Sequence, residues 1–164
     1  MNILNYCYDL LTKLKNGEIS FSHVINKKVD VLEVDTNSID PIKDALKAIV
    51  NRYYFLAWEI KHYLKGIVIK ENELDYLIIS LAFLRYSRNG DTLKIESQLI
   101  ESLNSIESKL DQNTIIKMLQ ELKSNVTSLP EVFNENFSKK ISLNYSYPEW
   151  LVTMIRKHFG TRNS

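Results

Sequence analysis

The chain has 164 residues, of which 45% are hydrophobic, and a formal net charge of +1. That length supports one well-buried core and leaves too little chain for two, while near-neutrality excludes a surface that attracts nucleic acid or anionic lipid from every side. The single cysteine, Cys7, can close no internal disulfide and supplies too few thiolates for a structural zinc site, which suits a reducing cytoplasm.

Apolar residues recur at helical spacing almost throughout, and only 4 Gly and 3 Pro interrupt them. Ile3, Cys7, Leu10, Leu11 and Leu14 predict a first helix, closed by Asn16 and Gly17. Asp9 and Lys13 break its apolar run well short of the roughly 18 to 20 residues that span a bilayer, and no basic region precedes a clean apolar block. Neither secretion nor membrane insertion is indicated. From Gly17 to Ser38 the pattern gives a short helix around Phe21, Val24 and Ile25, then an irregular linker.

Asp40 and Pro41 open the next helix as N-cap and first helical residue. Its buried face carries Ile42, Leu46, Ile49, Val50, Tyr53, Leu56, Ala57, Ile60 and Leu64, and it ends at Gly66. A helix from Glu71 to Ser87 is apolar nearly all round and so belongs at the centre. After Asn89 and Gly90, a helix from about Thr92 to Leu110 turns Leu93, Leu99, Ile100, Leu103 and Ile106 inward. A shorter one from about Asn113 to Ser124 buries Ile115, Ile116, Leu119 and Leu122. Ser128 to Glu131 reads as another helix start. The last helix is marked by "YSYPEWLVTMIRKHFG", residues 145–160: Ser146 and Glu149 have capping-box spacing, Pro148 sits in the first turn, and Gly160 offers a C-terminal cap. The expectation is an all-α bundle of roughly six to eight helices joined by short connections.

Chemistry-bearing patterns are few. Glu59 and His62 have the Glu-x-x-His spacing of carboxylate-bridged metal sites in four-helix bundles, but in a single copy, so an ordinary helix-surface polar pair is the expected reading and no metal is assigned. Cys7 lies on an apolar stripe and reads as a small buried hydrophobe. Phosphate-cradling glycine loops and nucleophile motifs do not occur, so no catalytic residue is assigned and no cofactor is expected in this chain. The basic residues are the better lead: from Lys139 onward, Lys139, Lys140, Arg156, Lys157 and Arg162 face only Glu149. Arg85 and Arg88 form a second cluster, with Arg52 and Lys61 on the preceding helix. Such patches hold phosphates through salt-dependent contacts. Tyr53, Tyr54, Trp58 and Tyr63 concentrate rings on one helix, where base stacking requires exposure between positive charges.

Residues 145–160 resemble the Tyr-Ser-His-Pro-x-Trp-Leu-Val segment, followed by a short basic helix and Gly, that joins the NusB-like N-terminal domain to the catalytic part of the Sun/Fmu/RsmB family. Those enzymes are 16S rRNA cytosine-5 methyltransferases. Upstream, "ELDYLIISLAFLRYS", "IIKMLQELKSN" and, more loosely, "AIVNRYYFLAWEIKHYL" are similar to helices of the same domain, so the resemblance spans roughly residues 40 to 160. The chain differs from the family pattern at Tyr147, where the family has His, and at Lys117 and Glu121, where a helix has exchanged its Asn and Arg. It also begins without an arginine-rich arm.

The resemblance implies a NusB-like domain over residues 1–136, and over 137–164 a linker and helix leading toward an absent methyltransferase domain that would bind S-adenosylmethionine. The implied role is ribosomal RNA recognition in the cytoplasm, not catalytic alone. Lys139, Lys140, Arg156 and Lys157 are the expected phosphate contacts, with Arg85 and Arg88 second. Trp150, Leu151, Met154 and Phe159 are the expected contact with the protein's own catalytic domain. The rival expectation is a free-standing NusB-like antitermination or protein-interaction module.

Overall fold

A computed structural model describes residues 2–20, 39–87 and 92–126. Five α-helices occur among the described residues and no strand does: α1 (Ile3–Lys15), α2 (Ile39–Tyr63), α3 (Glu71–Tyr86), α4 (Thr92–Ser105) and α5 (Gln112–Ser124). The all-helical expectation is met.

Each helix end has a local cause. Asn2 caps α1, its side-chain oxygen accepting from the Asn5 N–H at 3.0 Å, and Asp111 caps α5 by accepting from the Thr114 N–H at 3.1 Å. At the start of α3 the Glu73 carboxylate reaches back to accept from the Lys70 N–H at 2.9 Å. Gly17, at φ +73°, ends α1 in a Schellman turn, in which the Glu18 N–H donates to the Lys13 carbonyl and the Gly17 N–H to that of Leu14. The same pair of bonds ends α4, Ser108 to Leu103 and Glu107 to Asn104, but the left-handed position there is Glu107 at φ 55°. No glycine announced that stop, and the predicted helix through Leu110 is five residues too long.

Packing is organised around α3, which touches all four of the other helices, α2 most extensively. Eleven consecutive residues of α3, Glu73 through Phe83, are buried, as its all-round apolar pattern requires. The nine residues predicted for the inner face of α2 are all buried. That helix starts at Ile39, so Asp40 lies within its first turn rather than at its N-cap. It kinks at Arg52 (φ −131°, ψ 18°) without a proline or glycine, and the Arg52 guanidinium rests 4.8 Å from the centre of the Tyr86 ring on α3. In α4 Leu99 and Leu103 are buried as predicted and Ile106 packs against the core, but Leu93 is 76% exposed and Ile95, which was not predicted, is buried.

Polar seams fix how the helices sit. Where α1 meets α4, the Ile3 N–H donates to Gln98 Oε1 at 2.8 Å, and Asn5 Oδ1 accepts from both Ser102 Oγ and the Tyr76 hydroxyl at 2.8 Å. One carboxamide thus joins α1, α3 and α4. Each such bond adds about 1 kcal/mol and, more usefully, holds one register between helices.

Candidate nucleic-acid interface

The outward face of α2 is set by the same periodicity that buries its inner face. Lys43, Lys47 and Lys61 fall on it, as do Phe55 and Trp58, with Asp40 and Asp44 the acids among them, and Lys65 follows in the turn just after the helix. Lys47, Lys61 and Lys65 are exposed, and Lys43, Phe55 and Trp58 are half-buried. Spacing of three and then four residues brings Phe55, Trp58 and His62 into a column. The Phe55 and Trp58 rings are 6.4 Å apart at 18°, and the Trp58 and His62 rings 5.1 Å apart at 11°. A half-exposed column of rings flanked by lysines offers stacking surface and phosphate contacts together.

Of the four rings singled out on this helix, Tyr53 and Tyr54 are buried, Trp58 joins the column, and the Tyr63 hydroxyl donates to Glu121 on α5. Lys61 lies on the outward face. Arg52, at the kink, is turned toward Tyr86. Those two basic residues form no common cluster. Phe55, Lys43, Lys47 and Lys65 had not been singled out, although their spacing was legible.

Arg85 is the clearest correction. Its side chain is only 3% exposed and clasps the fully buried Glu59 with two hydrogen bonds, Nη1 to Oε1 at 2.5 Å and Nη2 to Oε2 at 2.7 Å. Its Nε also donates to the Leu122 carbonyl at 2.7 Å, near the C-terminus of α5 where a cation is favoured. With its donors turned inward this guanidinium ties α2, α3 and α5 together and is not on offer to a phosphate. The expected surface pair of Glu59 with His62 is corrected by the same contact: Glu59 is committed to Arg85 and His62 to Trp58. Among the described residues no three His, Cys, Asp or Glu side chains gather as a metal would need.

A second buried ionic group lies between α1, α2 and α3. Asp75 accepts from Lys15 and, at 2.9 Å, from the Tyr53 hydroxyl, while Lys15 also bonds Glu71 at 3.2 Å. Burial raises the Asp75 carboxyl above its ordinary value, outweighing the opposite pull of Lys15 and Tyr53. Burial likewise raises the Tyr53 phenol, with Asp75 adding to it. Cys7 is fully buried and its thiol is raised by desolvation, as befits a packing residue and not a nucleophile.

Arg88, Lys139, Lys140, Arg156 and Lys157, together with Trp150, Leu151, Met154 and Phe159, lie outside the described residues, as does the 136/137 domain boundary. No helix among the described residues is long and apolar enough to cross a membrane. No protein-family model, curated protein or solved structure matches the chain.

Proposed function

We propose that this chain is a NusB-like RNA-recognition domain of a 16S rRNA cytosine-5 methyltransferase, assisting rRNA binding and not catalytic alone. The observation that carries the RNA-binding part is the lysine-flanked ring column on α2, an arrangement that suits a chain of phosphates and bases better than an acidic or wholly apolar partner. The all-helical architecture and the family resemblance of residues 145–160 support the NusB-like assignment and its six to eight helices. In this reading Lys139, Lys140, Arg156 and Lys157, with Arg88, extend the phosphate contact, and the catalytic domain supplies the S-adenosylmethionine site. That domain docks on Trp150, Leu151, Met154 and Phe159, and the protein works in the cytoplasm.

Binding of a 16S rRNA fragment should weaken steeply between about 50 and 200 mM salt, because each phosphate contact releases a counterion. Reversing Lys47, Lys61 and Lys65 to Glu together should lower affinity at least about tenfold and flatten the salt dependence. Absence of binding at low salt, or indifference to the triple reversal, counts against α2 as the interface. The rival protein-interaction module draws on Ile67 and Val68, 46% and 90% exposed in the turn after α2. It predicts that changing these two to Ser abolishes partner capture while RNA affinity stays as it was.

A further inference from the structure

A cavity of about 280 Å³ lies immediately beside the ring column, between α2 and the start of α3. Its walls are apolar and aromatic, from Tyr53, Tyr54, Ala57, Trp58, Ile69 and Leu74, and its charged lining is Lys61 and Glu71. The volume is just below the ~300–1,000 Å³ of pockets that hold whole small-molecule ligands, which suits a single heterocycle better than a complete nucleotide. Phe55 and His62 are stacked nearly parallel to the Trp58 indole, from one turn before it and one turn after. The column is therefore already stacked internally, and the cavity is a separate place for a ring to go.

We infer that this cavity receives one unpaired base of a single-stranded RNA whose backbone runs along the α2 lysines, an inference that rests on the RNA-binding reading of that face. The charges decide which part of a nucleotide enters. Glu71 repels a phosphate, whereas its carboxylate can accept from the N–H that every unpaired base presents on its pairing edge. Lys15 holds that carboxylate, its Nζ 3.2 Å from Glu71 Oε1, and so orients the acceptor. On the other side Lys61 is exposed near the end of α2, and Lys65 is exposed in the turn that follows, placing the phosphates outside and the base within. In a duplex the pairing edge is occupied, and the stacked base cannot leave its neighbours without an unstacking cost comparable to what one pocket returns. Strandedness is thus what the cavity reads.

A neighbouring depression of about 410 Å³, lined by Tyr8, Lys15, Asn72 and Asp75 among others, shares Glu71 but lacks the apolar walls. Its Lys15 and Asp75 are bonded to each other. It is not a second base site.

The test uses the intact chain and fluorescence anisotropy of three labelled RNAs of about eight nucleotides: a mixed-sequence single strand, the same strand annealed to its complement, and a strand of equal length without bases. The single strand should bind roughly tenfold tighter than the other two at equal salt, the value of one well-seated base. Ala57→Leu fills the cavity, and Ile69→Phe narrows it from a half-exposed position that tolerates change if the first variant does not fold. Either should bring the ratio of single-strand to base-free affinity down to about one. Equal binding of all three RNAs by the unaltered chain overturns the base site while leaving phosphate binding by α2 intact. A ratio that survives both variants places the base elsewhere and also overturns it. No binding of any RNA at low salt removes the RNA reading itself, and the inference with it.

Discussion

Arg85 and Glu59 show how much depends on where a charge ends up. The two side chains are 3% and 0% exposed, so neither keeps water as an alternative partner. Replacing Arg85 with Met leaves a buried carboxylate alone and should lower unfolding free energy by about 3–5 kcal/mol, measured by urea denaturation. Pairing that change with Glu59→Leu should recover most of the loss, since the desolvation penalty of both charges disappears. An undiminished midpoint in the single variant contradicts the clasp. Asp75 and Asp111 offer a second test, because their carboxyls are displaced in opposite directions. Asp75 is raised by burial, so the folded chain holds its proton more tightly than the unfolded one. Its contribution is complete below the unfolded value of about 3.9 and is lost as pH rises through the native value. Asp111 is lowered by its hydrogen bonds with Thr114, so its contribution is present above that value and is lost as pH falls. In urea titrations across pH, Asp75→Asn should remove the loss on the rising side and Asp111→Ala the loss on the falling side.

At the scale of the element, α4 is the informative case because two readings of one amphipathic helix compete. The predicted stripe of Leu93, Leu99, Ile100, Leu103 and Ile106 includes Leu93, whereas the folded helix buries Ile95 together with Leu99 and Leu103 and leaves Leu93 at 76% exposure. Gln98 and Ser102 decide between them, since their bonds to the start of α1 turn that side of α4 inward. Leu93→Ser should therefore shift stability by no more than about 0.5 kcal/mol. Ile95→Ala should cost about 2–5 kcal/mol, with urea unfolding as the measurement for both. A large loss at Leu93 would mean that the helix is rotated from the arrangement described. The stop at Glu107 has a similar origin: a residue that pays a steric cost at φ 55° is held there by the two closing bonds of the turn.

For the molecule as a whole, α3 is the element on which the others depend. Its residues from Glu73 to Phe83 are buried on every side and it meets α1, α2, α4 and α5, so opening it requires separating the bundle. Native-state hydrogen exchange should find the slowest amides between Leu77 and Phe83 and faster ones in the turn from Glu107 to Leu110. Slow exchange confined to α1 or α5 instead would remove α3 from that central role. The α2 interface depends on the same arrangement, because α3 covers the inner face of α2 and thereby leaves its lysines and rings to the solvent side.

Periodicity determined by itself that the described chain is helical, that α3 is central, and which nine residues of α2 turn inward, because burial of an apolar stripe is a local pattern repeated every turn. The outward lysines and the Phe55, Trp58 and His62 column follow the same rule and could have been read from it. What only the tertiary structure decided was the fate of individual polar groups: Arg85 turned inward onto Glu59, Asp75 shared by Lys15 and Tyr53, and Gln98 and Ser102 of α4 bonded to the start of α1. These partners lie between about twenty and one hundred residues apart in the chain, and a hydrogen bond at that separation leaves no periodic trace in sequence.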